Sequence, residues 1–494
     1  MRTAVKNILL FIFIFIIVFS IIIIEPIGDL DEIWNYNTAR AISEGLIPYK
    51  DVSMITTPLL PMVTAIFLNL ISNELIISRI LAALLWTGIL FTIYKIFMTL
   101  LKEENISLIF TAIIGWICRD IYCIDYNVAV LFLALIILYK ELHGSKQDLL
   151  IGLLAGLAVC TKQSIGVTLA FVVVLYKLLF VENKEQFKEY IKTALKRIVG
   201  ILIPVIVFII YLLVTGAMSE FINYAVLGIS TFSNKIPYVE LLQNDNIEIV
   251  VLSILVPIAI LIMAIILIVT KVIKKENTYI PKILTMFIYS LSIIIVMYPI
   301  SDSIHFLIGG LIAVVSLLSM VGLVIRWIYG KLKFKRKYLI FKSVSLIIWL
   351  LIFVAISRFG LNNLYNYAKV EKNTEIEHFK YIEVSEGLKT RINQLDNYIK
   401  EQEEQGKKVY ILDAEAAVYM IPIDKYNKDY DMFLKGNIGK DGEQGQIDRI
   451  SKKSENEIYL IRNEKLTLNW QTPKEVLNYI RNNLEKVDEV SIYE

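Results

Sequence analysis

Long apolar runs recur through roughly the first 360 residues, and they constrain the fold of this chain more than any other feature. Crossing about 30 Å of hydrocarbon takes roughly 20 apolar residues in a helix. Runs of that kind fall near 75–100, 105–120, 127–141, 148–161, 165–181, 197–215, 247–270, 282–298, 304–326 and 338–358. Met1 to Ile24 adds one more: Arg2 and Lys6 precede an apolar stretch of about 17 residues with no small-x-small cleavage site, so it reads as a span and not a signal peptide. The sum is about eleven transmembrane helices. A chain that is 56% hydrophobic with mean hydropathy +0.61 lacks the polar surface a soluble fold needs. This is a polytopic α-helical membrane protein.

Charge decides the expected orientation. Cations gather in Lys102-Glu-Glu, Lys140 to Lys146, Lys184 to Arg197, Lys271 to Lys282 and Arg326 to Lys337, which all fall on one side under this span count. The positive-inside rule places those segments and the N-terminus in the cytoplasm of a plasma-membrane protein. An odd number of spans then puts residues 359–494 outside. Residues 58–72 are the decisive segment, because another span there would invert everything after it. Pro58 and Pro61 open the segment, and only about 14 residues follow, so it reads as a helix lying at the outer interface.

The division expected is a transmembrane domain over 1–358, with an external loop at 25–74, and an extracytoplasmic domain over 359–494. In that tail Leu388, Ile392, Leu395 and Ile399 mark one face of an amphipathic helix. Val409 to Asp413 and Glu457 to Ile461 read as buried strands, Thr472-Pro473 opens a helix through Leu484, and Glu489 to Tyr493 reads as a last strand. The tail is therefore a small α/β domain. The glycines of Gly436 to Gly442 lack phosphate-loop spacing and read as a turn. The three cysteines, Cys118, Cys123 and Cys160, have no zinc-ligand spacing.

Ionisable groups at a membrane boundary are costly unless hydrated or paired, so they are candidates for function. The expected outer ends collect Asp31, Glu32, Arg79, Asp125, Lys162, Asp302 and His305, besides Asp29, Asp51, Arg119 and Asp120. Carboxylates and cations on one face suit transfer from an anionic lipid carrier: a carboxylate takes a proton from an acceptor hydroxyl, and cations stabilise the departing phosphate. Plainer roles compete. Asp29 and Glu32 have capping-box spacing, with Gly45 ending a helix of about 13 residues. Asp125 and Asp302 could cap helices, Arg79 could anchor a headgroup phosphate, and Lys162 could snorkel. The excess acidity of Asp29, Asp31 and Glu32 exceeds what a cap needs. Asp31 and Glu32 are the candidate catalytic pair, and Asp29 reads as a cap.

Asp31-Glu32, followed by Ala39 to Gly45, Pro48 to Asp51 and Thr57-Pro-Leu-Leu, resembles the first external loop of GT-C glycosyltransferases. The similarity points to the glycosyltransferase family 39 branch, protein O-mannosyltransferase-like and aminoarabinose-transferase-like. Gly152-x-x-x-Gly156-Leu-Ala-x-x-x-Thr-Lys162 and the upstream Asp125 resemble the same branch, over approximately residues 1–330. The resemblance implies a GT-C fold and inverting transfer of a hexose or pentose from a polyprenyl-phosphate donor. It implies Asp31 as general base, and Arg79 and Lys162 near the donor phosphate or site wall. Asp125, Asp302 and His305 complete the expected substrate-binding set.

Such an enzyme takes an extracytoplasmic glycan, lipid or protein as acceptor, contacts membrane lipids, has no nucleic-acid partner and requires no cofactor, with a divalent metal still open. A transporter or flippase of a lipid-linked glycan is the alternative. It would place charges near mid-membrane and show internal repeats, and the sequence has neither. A surface receptor would explain the tail but not the first loop.

Overall fold

The computed structural model describes residues 2–28, 30–232, 235–273, 279–331, 337–452, 456–463 and 471–494. The cap expected at Asp29 and the middles of the basic segments 271–282 and 326–337 lie outside these residues. Helices occupy all the expected intervals. Among the described residues, eight helices are long and apolar enough to cross a membrane: Thr3–Ile22, Leu75–Leu101, Gln163–Phe180, Lys184–Thr215, Ile247–Thr270, Ile280–Met297, Ser303–Lys331 and Tyr338–Lys369. The protein is a multi-pass membrane protein.

Three expected spans fall on shorter helices: Glu104–Ile117 and Asp148–Thr161 with 14 residues each, and Tyr126–Leu142 with 17. At about 1.5 Å per residue, 14 residues reach only about 21 Å. Their ends have local causes. A 3₁₀ turn at Arg119–Ile121 follows the first, and an extended Lys162 (φ −149°, ψ 113°) separates Asp148–Thr161 from the helix that begins at Gln163. The basic segment Lys184 to Arg197, expected as a loop, forms the first turns of the helix Lys184–Thr215. The last long helix runs to Lys369, beyond the expected end at 358.

The chain divides into two compact units that do not follow the linear division at residue 358. One comprises residues 1–22, 82–207 and 235–368; the other comprises 23–81, 208–234 and 369–494. In the first unit, Asp148–Thr161 packs against Lys184–Thr215 backbone to backbone. A Cβ at Gly152 would collide with the Arg197 carbonyl, and one at Gly156 with the Ile201 carbonyl and the Pro204 ring. The Gly152-x-x-x-Gly156 pattern is thus a close-approach surface between helices. Beside it, the fully buried Arg197 binds Asp148 through Nε (3.0 Å) and Nη2 (2.8 Å) and Glu141 through Nη2 (2.6 Å).

The second unit explains why the domain boundary departs from expectation. Ile33, Trp34, Tyr36 and Ala39 of the helix Leu30–Ser43 share one core with Phe379, Ile382, Leu395, Val409 and Ile411. Trp34 Nε1 donates to the Ala414 carbonyl at 2.9 Å, and Leu75 N to the His378 carbonyl at 2.8 Å. The first loop therefore folds with the tail. The tail itself holds a parallel pair, β1 (Lys408–Leu412) and β2 (Glu457–Ile461), in register from Lys408–Glu457 to Leu412–Ile461. Val409 and Ile411 face the predicted stripe Leu388, Ile392, Leu395 and Ile399 of the helix Glu386–Glu404. Leu412 and Ile461 face Val476, Leu477 and Ile480 of the helix Lys474–Asn483.

Glu489 to Tyr493 does not form the expected strand. Val490 and Tyr493 exchange backbone hydrogen bonds across a tight turn, with Ser491 at φ +54°, and the pairing with the end of β2 is a single antiparallel bridge, Arg462 with Tyr493, flanked by Ile461–Glu494 bonds and by Asn463 N donating to the Ile492 carbonyl. Gly436, Gly439 and Gly442 all have positive φ (90°, 82° and 58°), as the turn reading requires.

Candidate active site

The acidic first loop is built around one buried ion pair. The helix Leu30–Ser43 opens with Asp31 and Glu32 in its first turn, where the helix dipole favours negative charge. It ends at Gly45 (φ +94°), with Gly45 N donating to the Ile42 carbonyl and Leu46 N to the Ala41 carbonyl, both at 3.0 Å. Glu32 is buried, and Arg79 clamps it bidentately: Nε to Oε1 and Nη2 to Oε2, each 2.9 Å. The same guanidinium donates to the carbonyls of Glu25 and Pro26. One arginine thus ties the loop entry and the first turn of the loop helix to the base of Leu75–Leu101. The adjacent Asp31 is half-buried, and its backbone carbonyl accepts from Asn35 Nδ2 at 2.8 Å.

This corrects the surface role expected for Arg79. At 1% exposure it offers no site to a headgroup, and its donors are directed at protein acceptors. Asp51 closes a local turn by accepting the Ile47 amide at 2.8 Å.

The other expected residues cluster in the membrane-helix unit. Asp125 caps Tyr126–Leu142, with Oδ1 accepting the amides of Asn127 (2.7 Å) and Val128 (3.2 Å). Its Oδ2 is buried and has no hydrogen-bond partner among the described residues. Burial pushes the Asp125 carboxyl above its ordinary range, against the pull of Lys162 and His305, which both lie within electrostatic reach. Lys162 projects from the break between two helices. Its Nζ donates to Asn127 Oδ1 at 2.6 Å and lies 4.6 Å from the Tyr126 ring centroid.

Asp302 caps Ser303–Lys331 through the His305 amide (2.8 Å) and faces His305 Nδ1 at 2.9 Å. Burial works against its ionisation, yet the hydrogen bonds from His305 hold it below the usual carboxylate range. Both of the plain capping roles weighed for Asp125 and Asp302 are therefore present; the Asp125 cap also presents Asn127 to Lys162, and Asp302 also meets the His305 ring.

Asp31, Glu32 and Arg79 belong to one unit, and Asp125, Lys162, Asp302 and His305 to the other. Asn127 and Tyr126, outside the expected set, orient Lys162. Their signal was a polar pair directly after a capping aspartate at the head of an apolar helix. Among the described residues, no group of three or more His, Cys, Asp or Glu side chains is placed to hold a metal ion.

The crystal structure of ArnT from Cupriavidus metallidurans in the apo state superposes on this chain with TM-score 0.55 and 13% sequence identity, covering 94% of each chain. The fold is therefore like that of this ArnT. A crystal structure of the same ArnT bound to undecaprenyl phosphate gives TM-score 0.46 at 15% identity, over 95% of this chain and 84% of that one. No protein-family model matches the sequence, and no curated protein matches it.

Proposed function

We propose that the chain is a membrane glycosyltransferase that moves a sugar from a polyprenyl-phosphate carrier to an extracytoplasmic acceptor hydroxyl, with inversion at the anomeric carbon. The observation that carries this reading is the acidic pair at the head of Leu30–Ser43, where Arg79 binds Glu32 and Asp31 stands beside it in the same first turn. The first-loop resemblance to GT-C enzymes and the fold shared with ArnT support it.

Asp31 accepts the proton of the acceptor hydroxyl while that oxygen attacks the anomeric carbon. The bond from that carbon to the carrier phosphate breaks, and the phosphate monoester leaves with the electron pair. In the membrane-helix unit, Lys162, held by Asn127, and His305, facing Asp302, are the groups proposed to bind a carrier phosphate. Asp125 sets the capped turn from which Asn127 projects. Glu32 and Arg79 are positioning residues, because their interactions are with each other and the loop backbone. The acceptor is a glycan, lipid or protein, and the donor sugar a hexose or pentose. The step as written uses no metal, so turnover is expected to survive excess EDTA; its loss, with recovery on adding Mg²⁺ or Mn²⁺, would contradict this mechanism.

The proposal places the N-terminus in the cytoplasm of a plasma-membrane protein, and the first loop and residues 369–494 outside. It is tested with purified protein in lipid nanodiscs, labelled polyprenyl-phosphate sugars and an envelope extract as acceptor. Release of free polyprenyl phosphate with transfer of label supports it. Translocation of intact labelled lipid in proteoliposomes, with no bond broken, would assign a flippase instead.

A further inference from the structure

A groove of about 700 Å³ opens among the helices Thr3–Ile22, Leu75–Leu101, Glu104–Ile117 and Tyr338–Lys369, with Glu248 of Ile247–Thr270 at one end. Every residue lining it belongs to the membrane-helix unit. Its depth comes from small side chains: Ala112 and Gly115 on one helix and Ala355 on another leave room between the rings of Phe13, Trp349 and Phe359. Trp116 meets Phe359 edge-on at 5.8 Å and closes the wall beside them.

The groove has one polar end. After Glu104–Ile117 stops, the 3₁₀ turn Arg119–Ile121 brings Arg119 to Glu248, with Nη1 donating to Oε2 at 2.8 Å, and sets the guanidinium carbon 4.4 Å from the Trp116 ring centroid. Trp116 Nε1 donates to the other oxygen of Glu248 at 3.2 Å. A tryptophan beside an ion pair is the chemistry of the headgroup level, so the apolar part of the groove lies in the hydrocarbon below it. From Leu10 to Ile21 the first helix advances about 16 Å, which matches the roughly 15 Å of hydrocarbon in one leaflet.

Length and charge together choose the occupant. One leaflet's depth suits a single acyl chain of a glycerophospholipid, whereas a long polyprenyl chain would overrun it. Arg119 and Glu248 are the charged residues lining the groove, and the exposed Asp120 adds a second carboxylate at 3.4 Å from Arg119. Arg358, on a neighbouring face of its helix, does not line it. Two carboxylates against one guanidinium repel a phosphate monoester, which carries about −1.5 to −2 charges, and suit a headgroup that brings its own ammonium. We infer that this groove is a binding site for a zwitterionic phospholipid, phosphatidylethanolamine in chemistry, with one acyl chain between the helices and the headgroup at Arg119, Asp120 and Glu248. The inference stands apart from the transfer reaction, because binding is read without turnover.

The test is native mass spectrometry of the delipidated full-length protein in detergent, titrated with dioleoyl phosphatidylethanolamine, dioleoyl phosphatidylglycerol and undecaprenyl phosphate. One saturable phosphatidylethanolamine adduct is expected, at least fivefold tighter than phosphatidylglycerol and not displaced by undecaprenyl phosphate. Ala355→Trp and Ala112→Phe fill the groove and should each weaken that adduct about tenfold, with thermal unfolding of the lipid-free variants checking that they fold. Asp120→Lys, at an exposed position, leaves the groove open and should turn the preference toward phosphatidylglycerol. The inference is overturned if the parent binds both phospholipids equally, if undecaprenyl phosphate displaces phosphatidylethanolamine, if the folded filling variants bind like the parent, or if Asp120→Lys keeps the parent's preference.

Discussion

At the scale of single residues, the Glu32–Arg79 pair decides how the first loop is held. Both groups are out of water, so removing one leaves the other charge buried and unpaired, at a cost of about 3–5 kcal/mol. Arg79→Ala is therefore expected to lower the thermal unfolding temperature of the purified protein substantially, whereas Asp31→Asn, at a half-buried position, leaves it nearly unchanged. Equal destabilisation by both would contradict the division of labour between them.

Asp431 makes a separate residue-scale prediction. Burial pushes its carboxyl up to about 7; Asn427 N (2.9 Å) and Asn37 (3.3 Å) donate to Oδ2, while Oδ1 has no hydrogen-bond partner among the described residues. The unfolded chain ionises this group near about 3.9. Between those values the folded state holds the extra proton, so stability is lost as pH rises through the window. Asp431→Asn should flatten that dependence: its unfolding temperature should exceed the parent's by several degrees at pH 8, with the gap shrinking toward pH 5.

At the scale of elements, local pattern told most of what the chain does. Hydropathy located the helices, the 4-3-4 spacing of Leu388, Ile392, Leu395 and Ile399 located the buried face of Glu386–Glu404, and Gly45 marked a helix end. What pattern cannot carry is a partner far along the chain. Separations of 47 positions from Glu32 to Arg79 and 380 from Trp34 to Ala414 leave no periodic trace. Short polar stretches misled for a related reason. Lys184 to Arg197 has loop-like charge, but as the first turns of a long helix it presents that charge at the helix surface, with Arg197 alone turned inward to Asp148 and Glu141. The glycine pair 152/156 was legible as a motif, though not as a seat for the Arg197 and Ile201 backbone. Gly156→Leu should push the two helices apart, at a cost of about 1–3 kcal/mol or more. Size-exclusion chromatography and thermal unfolding of the variant check this; an unchanged profile would contradict the close approach.

At the scale of the whole molecule, the expectation of a membrane domain followed by a separate external domain gave way to two units woven from alternating stretches of chain. The sequence order hid this because the first loop and the tail are joined through a shared core, Trp34 and Tyr36 with Phe379 and Ile411, and not through adjacent sequence. Topology is directly testable, since Cys118, Cys123 and Cys160 are all buried. A Gly387→Cys variant adds a thiol where an added Cβ meets nothing within 4 Å. In intact cells a membrane-impermeant maleimide should label it. Labelling only after permeabilisation would put the tail in the cytoplasm and reverse the orientation.

The central claim is that Asp31 is the base of a sugar transfer while Glu32 only positions it. The most direct measurement is the single-turnover rate of Asp31→Asn in nanodiscs with a labelled polyprenyl-phosphate sugar, beside the parent and Glu32→Gln at matched folded fractions. Loss of a positioned general base lowers rates by about 10²–10⁴-fold. A drop of that order is predicted for Asp31→Asn, with donor binding retained and a smaller loss for Glu32→Gln. Parent-like turnover by Asp31→Asn would contradict the account.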